Sequence, residues 1–74
     1  MATTDLDTSG LKCPLPVLKA KKALGALEPG DRLRVVSTDP SALKDFPAYC
    51  ETAGHALLEA KTEGTKYVFL IQKG

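Results

Sequence analysis

A single thiol in a distinctive setting is the first candidate for chemistry. Cys13 follows a turn led by Gly10 and precedes two prolines, Pro14 and Pro16, and a helical pattern begins directly behind it. This arrangement predicts that Cys13 is the N-cap of a helix, with Pro14 at position N1 and Pro16 at N3. Proline is tolerated there because the first N–H groups of a helix have no partner within it. The sequence therefore predicts an exposed thiol at a helix start.

The predicted surroundings of this thiol favour its anionic form. The N–H groups of Leu15 and Val17 are expected to point toward the sulfur, and the helix dipole places partial positive charge there. Lys12 adds a full positive charge next to it. Such environments lower the pKa of a cysteine from about 8.5 toward neutrality, and the thiolate is the nucleophilic species.

Cys13 is compatible with several kinds of chemistry, and it could also be a buried cysteine with only a structural role. A metal site would have to combine Cys13, Cys50 and His55, and no Cys-x-x-Cys pair supports it. Cysteine–histidine catalysis would require His55 as its base. A thioredoxin-like exchanger needs a second cysteine where Pro16 stands, and Cys50 is predicted to be a small buried residue. A lone thiol without a base suits group carriage, in which a persulfide passes from one thiolate to another.

The chain predicts four strands and two helices around this site. Alternating or β-rich stretches predict the strands, and apolar residues at helical spacing predict the helices. Asp39 and Pro40 are expected to cap and open the second helix, and Pro47 to kink or divide it. Gly54 is the expected C′ residue. The predicted strands cover residues 4–8, 32–38, 55–62 and 66–73, and the predicted helices cover residues 14–27 and 40–53.

This order predicts an α/β fold, a two-layer α/β sandwich of topology β-α-β-α-β-β. The crossover through the first helix should make the first two strands parallel, and the last two should form a hairpin. Both helices are expected on one face of a mixed four-stranded sheet, within a single domain that spans residues 1–74. Cys13 would lie at the carboxyl end of the first strand, where α/β sheets usually bind ligands.

The same spacings predict which residues share an apolar face. Leu15 and Leu18 fall outside the inner arc of the first helix, so they either widen its apolar face or form a docking surface beside the thiol. The residues predicted to share an apolar face are Val17, Ala20, Ala23, Leu24 and Leu27 in the first helix, Leu43, Phe46, Cys50 and Ala53 in the second, and Ala56, Leu58 and Ala60 in the third strand.

The composition excludes several classes of protein. The 74 residues are 43% hydrophobic and 26% charged, with a formal net charge of +1, which is typical of one small globular domain and gives no basic surplus for nucleic acid. No apolar run approaches the roughly 18 residues of a membrane span. The first residues lack the basic and apolar parts of a secretory signal. A cytoplasmic protein with reduced thiols is expected, with no membrane association and no direct nucleic-acid binding.

Stretches spread over nearly the whole chain carry a family resemblance. They are residues 6–16, 27–31, 38–40, 45–47 and 69–74, and the first includes Cys13-Pro14-Leu15-Pro16. These stretches resemble the TusA/SirA-like family of small sulfur-carrier proteins, whose hallmark is a Cys-Pro-x-Pro element at the start of the first helix. The resemblance implies a two-layer α/β sandwich and a persulfide on Cys13.

The resemblance also implies partners. Cys13 would receive sulfur from a cysteine desulfurase or a rhodanese-type sulfurtransferase and pass it to an acceptor such as a DsrE-like protein. The chain would need no cofactor and would act as a carrier rather than a complete stand-alone catalyst. Asp7 and Asp45 match acidic positions typical of the family, although turn and cap chemistry also explains them. Leu15 and Gln72 depart from relatives that have an acidic residue and an arginine there, so the sulfur pathway is left open.

Functions other than sulfur carriage remain in competition, and the predicted site around Cys13 consists of helix-start residues and candidate docking residues. A thiol-based redox sensor or interaction module without sulfur transfer is the main alternative. RNA binding through the sheet is weakly supported, since exposed aromatic residues are few. Lysines beside the thiol either contact an acidic partner or form a solvated helix face. The predicted helix start comprises Pro14, Leu15, Pro16 and Val17, and the candidate docking residues are Leu11, Lys12, Leu18 and Lys19.

Overall fold

The computed structural model describes residues 3–12 and 14–74, and this part of the chain forms four strands and two helices. Their order and the mixed sheet confirm the predicted α/β fold class. The elements are β1 (Thr3–Thr8), α1 (Leu15–Gly25), β2 (Arg32–Ser37), α2 (Ala42–Ala53), β3 (Ala56–Glu63) and β4 (Lys66–Gln72).

The strands lie in the order β1-β2-β4-β3, so β1 and β3 are the edge strands. β1 pairs with β2 in parallel, whereas β4 is antiparallel to both β2 and β3. These pairings confirm the predicted crossover and hairpin. Because β1 and β2 run in the same direction, Thr8 and Ser37 lie side by side at one end of the sheet, which we call the carboxyl end. The chain enters both helices from that end.

Both helices cover one face of the sheet, and the core lies between the two layers. Phe46 of α2 and Phe69 of β4 stack with their ring centroids 4.7 Å apart, which ties the helix layer to the sheet. Thr8 is also buried, and its hydroxyl donates a hydrogen bond to the Val36 carbonyl at 2.6 Å. The buried cluster comprises Ala20, Leu24, Leu33, Val35, Ala42, Phe46, Cys50, Phe69 and Ile71.

The second helix departs from its predicted start and its predicted break. Ser41 is the N-cap residue, two positions after the predicted cap, because Asp39 first closes a turn in which its Oδ1 accepts the Ser41 N–H at 3.0 Å. α2 then continues through Pro47 as one helix, so the predicted division into two helices is wrong, while the alternative of a kink stays a prediction. Leu43, whose carbonyl loses its helical donor at Pro47, is exposed, and Pro47 is exposed too. Water can therefore replace the missing hydrogen bond.

The inner face of α2 is rotated from the predicted one. Ala42 is buried, whereas Leu43 is 46% exposed and Ala53 is exposed. The prediction that Leu43 and Ala53 belong to the inner face was therefore wrong. The buried residues are spaced i, i+4 and i+8, so the inner face follows the row through Ala42, Phe46 and Cys50 rather than the row through Leu43 and Ala53. The predicted stop is confirmed, because Gly54 ends α2 with φ 79° in the left-handed region that favours glycine.

The third strand contains a bulge that the alternation did not predict. Leu57 lies opposite Ile71 and Glu59 opposite Leu70, so Leu58 has no partner of its own in the ladder. Leu57 packs against the core, whereas Leu58 is 45% exposed. The predicted common face of Ala56, Leu58 and Ala60 is therefore wrong, because the bulge changes which side of the sheet alternate residues reach.

Candidate functional site

The loop that leads from β1 to Cys13 is held to the carboxyl end of the sheet. The Ser9 N–H donates to Asp7 Oδ1 at 2.9 Å, and the Gly10 N–H donates to Thr38 Oγ1 at 2.8 Å. Gly10 has φ 81°, a conformation that other residues rarely adopt. The loop is thus fixed from both parallel strands, since Asp7 belongs to β1 and Thr38 follows β2.

The first helix begins one residue later than predicted. Pro14 is its N-cap residue and Leu15 its first residue, so Pro16 is at N2 rather than N3. The Leu15 N–H donates to the Lys12 carbonyl at 2.9 Å, so the prediction that it is free for the sulfur is wrong. The Lys12 carbonyl therefore takes up this donor ahead of the helix. Cys13 itself lies outside the described residues, so the exposure and lowered pKa predicted for its thiol stay predictions.

The described residues at the start of α1 form an exposed surface. Lys12 and Pro14, which flank Cys13 in the sequence, are both exposed. The side chains of Leu15 and Leu18 are 46% and 52% exposed, so the prediction that they lie outside the inner face is confirmed. The remaining site residues divide into exposed Lys19, half-buried Leu11 and Val17, and buried Pro16.

The residues after β2 complete this surface, and the sequence did not assign them to the site. Thr38, Asp39 and Pro40 line a shallow cavity together with residues 10–12. Leu43, the second residue of α2, is an exposed apolar side chain. The predicted parallel pairing of the first two strands was a signal that could have found them, because parallel strands bring their carboxyl ends together.

Other candidate residues lie away from this surface. Cys50 is buried in the last turns of α2, and burial raises the pKa of its thiol. His55 follows α2, and its Nδ1 accepts the Gly74 N–H at 3.1 Å. Since α2 starts near the carboxyl end and its 12 residues extend about 18 Å, both residues are displaced toward the other end. The structure gives no support to His55 as a base for Cys13.

Four residues singled out by the family resemblance lie in different parts of the structure. They are Leu15 and Gln72, which depart from its pattern, and Asp7 and Asp45, which match its acidic positions. Gln72 lies opposite Arg32, the first residue of β2, at the end of the sheet remote from the Cys13 loop. Asp45 lies in the first turn of α2, where a carboxylate interacts favourably with the helix dipole. Only Asp7 and Leu15 adjoin the loop, and the roles predicted for Asp7 and Asp45 beyond local structure stay predictions.

Residues 3–12 and 14–74 contain no group of three or more His, Cys, Asp or Glu side chains arranged to hold a metal ion. The metal set considered from the sequence includes Cys13, so the structure does not test it. None of the helices in the described part of the chain has the length and apolar character to cross a membrane.

Asp7 is expected to titrate below the ordinary range of an aspartate. Hydrogen bonds from the Ser9 hydroxyl and the Ser9 N–H lower the Asp7 pKa from 3.8, and the charge of Lys66 adds to the shift. A lowered folded-state pKa means that the carboxylate holds the loop above pH 3.8 and releases it as the pH falls through the lowered value. Carboxyl carbon chemical shifts measured against pH check this. In Ser9→Ala the Asp7 pKa should rise toward 3.8; a pKa unaffected by this change would contradict the assignment.

Comparison with known proteins gives a consistent match over most of the chain. The family model described as sulfurtransferase TusA matches residues 4–73. The chain is 52% identical to the sulfur carrier protein TusA of Allochromatium vinosum over 93% of its own length and 91% of the relative. It is 46% identical to a putative sulfur carrier protein of Neisseria meningitidis over 97% of each chain. The crystal structure of a SirA-like protein from Desulfitobacterium hafniense has a TM-score of 0.82 and 29% identity, covering 100% of this chain and 99% of that one.

Proposed function

Because this chain belongs to the TusA family of sulfurtransferases, we propose that it is a sulfur carrier that holds sulfane sulfur as a persulfide on Cys13. The observation that carries this proposal is the 52% identity to a sulfur carrier protein over 93% of the chain. The exposed surface around the helix start agrees with it, since a carrier must present its thiol to more than one protein.

The chemistry requires no base or oxidant within the chain. The Cys13 thiolate attacks the terminal sulfur of a persulfide on the donor, a new S–S bond forms, and the donor cysteine leaves as a thiolate. The second transfer is the same displacement, in which an acceptor thiolate attacks the terminal sulfur on Cys13. Oxidation state and atoms balance in both steps, because each moves one sulfane sulfur between two thiols.

The residues around Cys13 contribute position rather than catalysis. Pro16 is buried at the second position of α1, while Gly10 and Asp7 hold the preceding loop to the sheet. Leu15 and Leu18 offer exposed apolar contacts for a docked partner. Leu11, Lys12 and Lys19 complete the docking surface, with the two lysines facing an acidic partner.

The partners follow from the same chemistry. A cysteine desulfurase or a rhodanese-type sulfurtransferase supplies the persulfide, and a DsrE-like protein is a suitable acceptor. The chain works in the cytoplasm, where thiols stay reduced. Its single domain, residues 1–74, needs no cofactor for the transfer.

Sulfur loading followed by intact-mass measurement tests the proposal. The chain is incubated with a cysteine desulfurase, cysteine and pyridoxal phosphate, and it should gain the mass of one sulfur atom. Peptide mapping after alkylation should place the added sulfur on Cys13, and a thiol acceptor protein should then remove it. A chain that never gains sulfur from either donor class, but whose Cys13 is selectively oxidised by peroxide, would reject the carrier in favour of a redox sensor.

A further inference from the structure

The two edges of the sheet differ in how well they are protected against another strand. β3 carries a bulge at Leu58 and a charged row in which Lys61 contacts both Glu59 and Glu63. Bulges and lysines are common devices that block edge pairing. β1 has neither, and its far side pairs with no strand among residues 3–12 and 14–74. One row of β1 backbone groups is therefore open to an added strand.

An apolar groove runs beside this open edge on the helix side of the sheet. Its lining is Leu6 of β1 with Lys19, Lys22, Ala23 and Ala26, and we call it the edge groove. The last four are spaced i, i+3, i+4 and i+7, so they form one stripe along α1 that ends at its C-cap residue, Ala26. Side chains of a strand added next to β1 would alternate, and every second one would enter the edge groove.

The charges on the two sides of β1 are opposite. On the helix side, Lys19 and Lys22 are exposed and form no ion pair with a described residue. On the face of the sheet away from the helices, Asp5 and Asp7 are exposed, since they alternate with Leu6, which faces the helices. A strand that fits both sides has acidic and apolar residues facing the helices and basic residues on the other face.

We propose that the β1 edge binds an extended segment of a partner protein, which adds a strand to the sheet and places acidic and apolar side chains in the edge groove. Backbone hydrogen bonds to β1 supply the attachment, and alternate side chains supply the specificity. β1 runs directly into the loop that precedes Cys13, so a bound strand would hold its parent protein close to the thiol. The binding requires no sulfur on Cys13 and does not rest on the carrier function.

A second copy of this chain is a poor occupant. Two β1 strands joined edge to edge would place Asp5 and Asp7 of both copies on one face of the continuous sheet. They would also place Lys19 and Lys22 of both copies on the other. Like charges on adjacent strands are destabilising, so the charge pattern selects a different strand.

A short designed peptide is the probe. Fluorescein-labelled Lys-Glu-Thr-Val-Lys-Glu-Thr puts two glutamates and the valine on one face and the lysines on the other. The control, Glu-Lys-Thr-Val-Glu-Lys-Thr, has the same composition but puts the valine on the basic face. Fluorescence anisotropy should show the probe binding at least about fivefold more tightly than the control, because only the probe satisfies the groove and both charge pairs together. Equal binding of the two peptides would overturn the proposal.

Backbone pairing distinguishes strand addition from simple charge attraction. Two derivatives of the probe are N-methylated on alternate amides, one on the even residues and one on the odd. One should lose binding and the other retain it, because only one edge of the peptide faces β1. Amide signals of residues 3–8 should shift and exchange more slowly with solvent when the probe is bound. Retained binding by both derivatives, or signal changes confined to β3, would overturn the proposal.

Charge-reversal variants locate the site on the protein. The double variant Lys19→Glu with Lys22→Glu should weaken probe binding by about tenfold, since two attractions become repulsions. The matched control is Lys21→Glu with Lys44→Glu, which makes the same change in net charge at exposed positions away from the edge groove. An equal loss in both variants would overturn the proposal. A dimer of the chain alone that only the first pair disrupts would also overturn it, by assigning the groove to a second copy.

Discussion

Replacing Cys13 with serine is expected to abolish sulfur loading, whereas Cys50→Ala should leave loading unchanged. A serine hydroxyl cannot accept sulfane sulfur as a transferable persulfide, because the step needs a thiolate nucleophile. Cys50 is 2% exposed and burial raises the pKa of its thiol, so it is neither accessible nor ionised. Intact mass after incubation with a cysteine desulfurase, cysteine and pyridoxal phosphate measures both variants.

The two cysteines also serve as controls for each other. Alkylation of the native chain should modify one thiol, and Cys50 should react only after denaturation. Circular dichroism of Cys13→Ser should match that of the unaltered chain, so that a lost mass gain reports on chemistry rather than folding. If Cys13→Ser gained sulfur as readily as the unaltered chain, the proposed carrier site would be wrong.

Phe46→Ala is expected to lower the free energy of unfolding by about 3–5 kcal/mol, the usual cost of removing a buried aromatic ring. Phe46 is fully buried and stacks on Phe69, so its loss opens a cavity between α2 and the sheet. A domain of this size has a total stability on the order of 4–11 kcal/mol, so the variant should lose a large share of it. Urea denaturation followed by circular dichroism gives the change.

Leu43→Ala is the matched control for this stability measurement. It truncates a large apolar side chain on the same helix, but that side chain is 46% exposed. Its expected cost is within about 1 kcal/mol, because little apolar surface returns to water. A loss as large as that of Phe46→Ala would show that Leu43 belongs to the core and that the observed inner face of α2 is incorrect.

Local patterns in the chain were sufficient to predict the order of the elements and the exposed pair Leu15 and Leu18 in α1. Proline and glycine punctuate the chain at Pro29, Gly30 and Gly54, and helical spacing separated Leu15 and Leu18 from the buried arc. The parallel crossover followed from chain connectivity, because a helix between two neighbouring strands returns the chain in the same direction. The same patterns predicted that Cys50 is buried.

Local patterns did not predict the first residue of either helix correctly. Cap-and-proline pairs occur at both starts, yet α1 begins one residue later than predicted and α2 two residues later. Ahead of α1 the Leu15 N–H, predicted to be free, donates to the Lys12 carbonyl. Ahead of α2 the Ser41 N–H donates to Asp39 Oδ1, although Ser41 rather than Asp39 is the N-cap residue. Which turn forms depends on how the strand before it is held in the sheet.

The sequence alone therefore determined the fold class, the loop that carries Cys13 and its position after the first strand, because these depend on residues near one another in the chain. Only the tertiary structure decided the strand order, the bulge at Leu58, the Thr38 contact that holds Gly10, and the open edge of β1 beside Lys19 and Lys22. Each of these depends on contacts between residues distant in sequence. Such contacts are selected by packing of the whole domain rather than by local preference.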